Sequence, residues 1–350
     1  MRILVIGGTH FIGLAAVRRL SEQGHDIAVY HRGKTEPDLP PSIQHIHADS
    51  AQKTTAHFSP ESVAAFRSFA PDVVLHMILF TEEDAREAME ALKGMAGRLV
   101  AISSQDVYRA FGRVNGLGSG PLDPLPITEE SALREQLYPY RADPPRADDA
   151  PDKWMDQYDK ILVERIVMSE PELPGTALRL PAVYGPGDYQ HRHFSFLKRI
   201  DDRRPFILLD EAEARWRWTY SYIDDVASAI ALAVTNERAS GHIYNVAEAT
   251  TLSLEERARL IAQLAGWQGR IILAPRGRLP EPLRWDIHPE QDIVVDSARI
   301  REELGYQEAL PLEEAMQRTI TWERANPPAK INPQEFDYSA EDAFVAENNL

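Results

Sequence analysis

The chain contains no cysteine. That excludes a disulfide framework, a thiolate nucleophile and a thiolate metal site. It also lacks any apolar run near the roughly 18 residues that a membrane span requires. No basic stretch and cleavage site lead the first segment, so no signal peptide is expected and a cytoplasmic location is the default reading. Positive charge is in short supply: 38 Lys and Arg stand against 54 Asp and Glu, for a net charge of −16. A surface of that sign argues against non-specific binding to nucleic acid or to anionic membrane, both of which need cationic patches. What is present is ample apolar material, 43% of 350 residues, enough for a sizeable core and, as a prior from length, about two domains.

The chain is organised around its first thirteen residues, MRILVIGGTHFIG. Ile3, Leu4, Val5 and Ile6 form a short continuous apolar run, as in a parallel strand buried on both faces. Gly7 and Gly8 break it. Phe11, Ile12, Leu14, Ala15, Val17 and Leu20 then recur at helical spacing, with Gly24 placed as a terminator. A strand, a glycine turn and a helix offer free N–H groups and a positive dipole end to a pyrophosphate. Gly7 and Gly13 have the spacing of the first and last glycines of a dinucleotide fingerprint, but the middle position is His10. That ring must either turn outward over the phosphates or block them.

Further strands are predicted at His25–Tyr30, Ile43–Ala48, Val73–Ile78, Arg98–Ile102, Thr176–Leu180 and His242–Val246, alternating with helices at Ser59–Phe69, Glu82–Gly94, Asp152–Ser169 and Asp224–Thr235. This rhythm means βαβ units: an α/β fold with a Rossmann-type, doubly wound parallel sheet. Ligands of such sheets sit at the carboxyl ends of the strands, where Gly7, His31, Asp49, Met77 and Ser104 fall. No acid ends the second strand; Arg32 and Lys34 follow His31, which favours NADP(H) over NAD because a guanidinium accommodates a 2′-phosphate. His45 and His47 share one strand face, but no third ligand is evident, so no metal site is assigned. Residues 112–151 are rich in proline and read as an irregular excursion, a candidate lid. A capping box opens a helix at Ser253, Asp296 caps a last helix ending at Gly305, and the tail from about 325 reads as polar, with Phe336, Tyr338 and Phe344 as anchors.

The ordered segments GGTHFIG (7–13), PDVVLHM (71–77), AISSQDVY (101–108), LRLPAVYGPGD (178–188), YSYIDDVASAI (220–230), GHIYNVAE (241–248) and VVDSARIREELGY (294–306) resemble the extended short-chain dehydrogenase/reductases, the NAD(P)-dependent epimerase/dehydratase family. The resemblance implies a cofactor domain over residues 1–180, with 221–248 returning to it, and a smaller C-terminal α/β substrate domain over 181–350. It implies cofactor contacts from Gly7, Thr9, His10, Phe11, Ile12, Gly13, His31, Arg32, Asp49, Ser50, Met77, Lys160, Pro181 and Val183. Substrate contacts would come from Gln105, Tyr184, His191, His193 and Arg217. His191-Arg192-His193 reads as a cationic patch for a phosphate or carboxylate, or as a plain surface loop. The implied partners are a small-molecule substrate, a sugar or nucleotide-sugar, and a second copy of the chain in a homodimer.

Family chemistry uses a Ser, a Tyr that exchanges a proton with the substrate, and a Lys that holds the cofactor ribose and lowers the Tyr pKa. Ser104 matches the serine, and Lys160, four residues before Glu164, matches the lysine. The tyrosine position is then Asp156. Tyr158 is two residues from Lys160, some 200° away around a regular helix at about 100° per residue. Three readings stay open: Tyr158 reaches the site from an irregular helix start; Asp156 or a tyrosine from the 108–140 segment, such as Tyr108, serves as acid/base; or there is no redox chemistry. Ala182 stands where nucleotide-sugar enzymes of the family carry an Asn, so weak activity on ordinary UDP- and dTDP-sugars is expected. An enzyme of this family is one functional class; a non-catalytic dinucleotide sensor or RNA-associated protein of the same fold is the other.

Overall fold

The computed structural model describes residues 1–48, 57–280, 283–285 and 287–350. Its strands are β1 (Arg2–Ile6), β2 (Asp26–His31), β3 (Gln44–His47), β4 (Val73–His76), β5 (Arg98–Ser104), β6 (Gly175–Leu180), β7 (Ala182–Tyr184), β8 (Phe206–Asp210), β9 (Tyr220–Tyr222), β10 (Ile243–Asn245) and β11 (Arg270–Ala274). Its α-helices are α1 (Phe11–Glu22), α2 (Pro60–Phe69), α3 (Glu82–Leu92), α4 (Arg109–Val114), α5 (Lys160–Val167), α6 (Phe194–Asp201), α7 (Glu211–Arg215), α8 (Ile223–Thr235), α9 (Leu254–Leu264), α10 (Ala298–Leu304), α11 (Leu312–Ala325) and α12 (Tyr338–Asn348).

Seven strands form one parallel sheet in the order β10-β6-β5-β4-β1-β2-β3. Chain order reverses between β1 and β4, the switch point at which such sheets take ligands. The apolar runs of the middle strands face two cores alternately. Ile3, Val5, Val73, Leu75, Val100 and Ile102 point into one, with Ala16 and Val17 of α1 and Val226 and Ile230 of α8. Leu4, Ile6, Val74, Leu99 and Ala101 point into the other, with Phe66 of α2, Ala85 and Met89 of α3 and Val163 of α5. Covering both faces is what makes a continuous apolar strand favourable, at roughly 1.5–3 kcal/mol per large aliphatic side chain removed from water.

The first core continues into the C-terminal part, through Leu197 and Ile200 of α6, Ile261 of α9 and Met316 and Ile320 of α11. There β7 pairs with β9 and β8 with β11, both in parallel. The capping box of α9 is present, Asp296 accepts the Ala298 N–H at 2.7 Å at the head of α10, and Gly305 ends that helix at φ 75°. The expected end of helical structure at Gly305 is corrected: α11 and α12 follow. α11 buries Ala315, Met316, Thr319, Ile320 and Glu323, a helical stripe, and Phe344 of α12 is buried against Phe206 and Leu208 of β8.

Candidate active site

The glycine turn between β1 and α1 has the shape its sequence requires. Gly7 has φ 86°, and a Cβ there would meet Ile78 Cγ2 at 2.8 Å. A Cβ on Gly13 would lie 2.6 Å from the Gly7 carbonyl, so only glycine lets α1 start this close to the turn. His10 caps α1 without a side-chain hydrogen bond, and the first turn holds no acid, so the positive dipole end is left uncancelled from within the helix. The His10 ring is exposed and meets Tyr189 edge-on at 6.0 Å, as Phe11 does at 6.1 Å; the histidine turns outward. These features fit a dinucleotide pyrophosphate. Thr9 and Ile12 are half-buried in the same turn, Met77 is buried beyond β4 with its N–H on the Ile6 carbonyl, and Arg32 is exposed just past His31. Pro181 follows the end of β6, and Val183 lies in β7. Asp49 and Ser50 lie outside the described residues.

The helix expected over Asp152–Ser169 is not continuous. Lys153–Asp156 is a short 3₁₀ turn, and α5 opens at Lys160 with Asp159 as its cap, accepting the Ile161 N–H at 2.9 Å. The same carboxylate accepts the Tyr138 N–H at 2.7 Å and faces the Arg134 guanidinium at 3.3 Å. Tertiary bonds thus fix the helix start, and Tyr158 precedes it instead of lying on its wrong face. The Tyr158 hydroxyl donates to Asp106 Oδ2 at 2.8 Å, and the Ser104 side chain beside it partly opposes the rise in its pKa. Lys160 Nζ donates to the carbonyls of Leu79 at 2.5 Å and Ile102 at 2.8 Å, and lies 5.7 Å from the Tyr158 ring centroid. Ser104 also caps the strand end by accepting the Asp106 N–H at 3.2 Å. Ser104, Tyr158 and Lys160 therefore converge.

Burial lowers the Lys160 ammonium to about 8, with Asp106, Asp84 and Glu164 partly opposing the fall. Burial, the Asp106 charge and Tyr140 hold the Tyr158 phenol well above its ordinary value. Burial likewise raises the Asp106 carboxyl, despite bonds from Tyr158 and from Tyr140 at 3.1 Å. Asp106, Tyr140 and Arg134 complete this group; Tyr140 falls within the 108–140 segment whose tyrosines are acid/base candidates, whereas Asp106 and Arg134 were not singled out from sequence. Asp106 lies inside the SSQDVY segment, between two residues that were; Tyr140 and Arg134 come from the proline-rich excursion, which has no periodicity to read.

The other acid/base candidates sit elsewhere. Asp156 is not on the face of Lys160: it fastens the excursion, accepting N–H groups from Ala142 at 3.1 Å and Arg146 at 2.9 Å and pairing with the Arg146 guanidinium. Tyr108 is fully buried, donates to Asn245 Oδ1 at 2.6 Å and accepts from Arg179 at 2.9 Å, and burial pushes its phenol up to about 12. Arg179 in turn pairs with Glu164, which also accepts from Ser103 at 2.6 Å.

The expected anion patch is corrected. His191 is tied to Glu323 at 2.7 Å and stacked on Trp322, and Arg192 is paired with Asp188 at 2.6 Å. His193 is buried against Tyr184 and Tyr220, and burial with the nearby Arg257 and Arg192 charges holds its pKa well below the ordinary value, so it carries no charge. Tyr184 is itself buried in that cluster. Arg217 is committed to Asp292 at 2.7 Å, and Gln105 donates to the Val246 carbonyl at 2.8 Å.

A model of the NAD dependent epimerase/dehydratase family matches residues 3–247. The chain belongs to this family. Among curated members it is similar to the 2′-dehydrokanamycin reductase of Streptomyces kanamyceticus, 27% identical over 267 residues, covering 73% of this chain and 64% of that protein. It is also similar to the chloroplast stem-loop binding protein of 41 kDa b of Arabidopsis thaliana, 25% identical over 276 residues, covering 76% and 64%. The matches thus span about 64% of the length of these two relatives. The fold is shared with the Bordetella bronchiseptica enzyme WbmG in complex with NAD (TM-score 0.64, 18% identity, 93% of this chain and 94% of that one). It is shared equally with the Thermotoga maritima UDP-glucose 4-epimerase with UDP-glucose (TM-score 0.64, 17% identity, 93% and 99%). No helix among the described residues is long and apolar enough to cross a membrane.

Proposed function

We propose that this family member is an NAD(P)-dependent oxidoreductase acting on a hydroxyl or ketone of a sugar or nucleotide-sugar, with Tyr158 as its acid/base. The observation that carries the reading is the meeting of Tyr158 with Ser104, Asp106 and Lys160 at the carboxyl end of β5. The cofactor, when bound, supplies or accepts the hydride. The Gly7–Gly13 turn and the head of α1 hold its pyrophosphate, and the third N–H of Lys160 holds its ribose. Ser104 orients the substrate oxygen. Tyr158, kept protonated by its surroundings, gives a proton to that oxygen as it becomes an alkoxide, and Asp106 steadies the phenol's exchange of that proton. A phenol in its acid form is the proton donor that ketone reduction needs, which agrees with the reductase name of the Streptomyces relative. Arg32 beside the end of β2, with no acid in its place, supports NADP(H) as the preferred form. Residues 181–350 supply the substrate side, and the excursion held by Asp156 and Asp159 covers it. A net charge of −16 speaks against an RNA-binding role.

The test is a panel of keto-sugars, aminoglycoside ketones and UDP- and dTDP-sugars with NAD(H) and NADP(H), read by nicotinamide absorbance. Turnover that Tyr158→Phe abolishes supports the reading. Turnover that survives Tyr158→Phe intact, or binding of neither cofactor, defeats it.

A further inference from the structure

The pairing of β2 with β3 brings together four side chains that the proton chemistry does not use. The two strands are parallel, with His31 opposite His47 and Val29 opposite His45. Alternation along a strand puts His45 and His47 on one face, and the cross-strand partner His31 shares it. The turn after β2 then folds Glu36 over the same face. His31 Nε2 lies 2.8 Å from His45 Nδ1, Glu36 Oε1 lies 3.0 Å from His47 Nε2, and Glu36 Oε2 lies 3.7 Å from His45 Nδ1. One ligand atom from each residue falls within 4.8 Å of all the others, the one such group among the described residues.

We propose that His31, Glu36, His45 and His47 form a binding site for a divalent transition metal of the zinc class. Zinc bonds of roughly 2.0–2.1 Å in a tetrahedron set neighbouring donors about 3.3 Å apart. The three separations above straddle that value, so small rotations of the His45 and His47 rings and of the exposed Glu36, about a buried His31, close the site. Three imidazoles and one carboxylate suit Zn²⁺, Ni²⁺ or Cu²⁺ and not Ca²⁺ or Mg²⁺, which prefer all-oxygen shells. Four protein donors fill a tetrahedron, so the site is closed and structural: it joins the edge strand β3 to β2 and to the turn between them. One rearrangement accompanies loading. The Gly33 N–H donates to His31 Nδ1 at 3.2 Å, which leaves the ring proton on Nε2, facing His45. Metal at Nε2 sends that proton to Nδ1, and the amide of the exposed, positive-φ Gly33 turns to water.

The experiment titrates metal-free protein with zinc chloride by calorimetry, and with cobalt(II) by visible absorption. One zinc per chain and the intense visible bands of tetrahedral cobalt are expected. Glu36→Gln and His47→Gln, both on exposed side chains, are each expected to lower zinc affinity by about 10–100-fold or more, and the His45→Gln/His47→Gln double variant to abolish uptake. Circular dichroism and nucleotide binding confirm that the variants are folded. No saturable uptake, uptake unchanged in the double variant, or a weak octahedral cobalt spectrum overturns the proposal. So does saturable binding of inorganic phosphate without zinc that the His45→Gln/His47→Gln variant loses, which would make the cluster an anion site.

Discussion

Asp106 and Asp156 belong to two segments that enclose the same tyrosine, and they hold a carboxylate in opposite ways. Both are buried, at 3% and 5% exposure. Asp156 works against burial with two backbone N–H groups and the Arg146 guanidinium, which together hold its carboxyl below the usual range. Asp106 receives two phenol hydroxyls on one oxygen, while Oδ1 has no partner among the described residues, and burial holds its carboxyl above the usual range. Burial alone therefore does not decide which way a carboxyl pKa moves; the inventory of donors does. Asp156, fully paired, fastens the chain around it, whereas Asp106, short of donors, shares its proton-accepting oxygen with Tyr158.

The largest test of this contrast sets Tyr158→Phe against Asp156→Asn. The first is expected to lower kcat by about 10²–10⁴, the usual worth of a positioned acid/base. The second is expected to leave kcat near that of the unaltered protein while lowering Tm and opening residues 138–152 to protease. A kcat loss in Asp156→Asn as large as that in Tyr158→Phe would erase the distinction. Next in size, Asp106→Asn is expected to lower kcat by about 10–100-fold, since a hydrogen bond to a charged group contributes roughly 1.5–3 kcal/mol. Unchanged kcat in steady-state assays would make Asp106 another fastener.

The pH dependence sharpens the same comparison. Lys160 carries charge below about 8 and loses it above, so kcat/KM is expected to fall about tenfold per pH unit beyond that point. Stability moves the other way. Between about 8 and the ordinary lysine value of 10.5 the unfolded chain binds more protons at this residue, so its contribution to folding rises with pH. Activity and Tm measured across that window distinguish loss of the cation from unfolding, and Lys160→Arg is expected to move the activity limb upward. A flat activity profile would remove Lys160 from the chemistry. The smallest effect concerns Arg32→Ala, expected to weaken NADP(H) by about tenfold and NAD(H) hardly at all, one lost charged hydrogen bond by calorimetry.

The Gly7–Gly13 turn, the alternation of buried strands with helices and the ends of most elements were legible because periodicity and glycine geometry act locally. The match of Lys160 to Glu164 was legible too, and the two share α5. That helix does not extend back through Asp156. Nothing in the local pattern of 152–159 announces a break; Arg134 and the Tyr138 amide, some twenty residues away, make Asp159 a cap. The anion patch at 191–193 failed for a related reason. Its charges are cancelled by Glu323 and Asp188 and its last histidine is buried, and Glu323 is 132 residues away from His191.

By itself the sequence determined the βαβ frame, the glycine turn after the first strand and the ends of the strands, since a period of two or of 3.6 and a positive φ are properties of neighbouring residues. Only the tertiary structure decided which carboxylate is fully paired, which tyrosine meets Ser104 and Lys160, and that His31 joins His45 and His47. Each of those depends on donors and rings brought from distant segments, and a linear pattern carries no record of which distant group arrives.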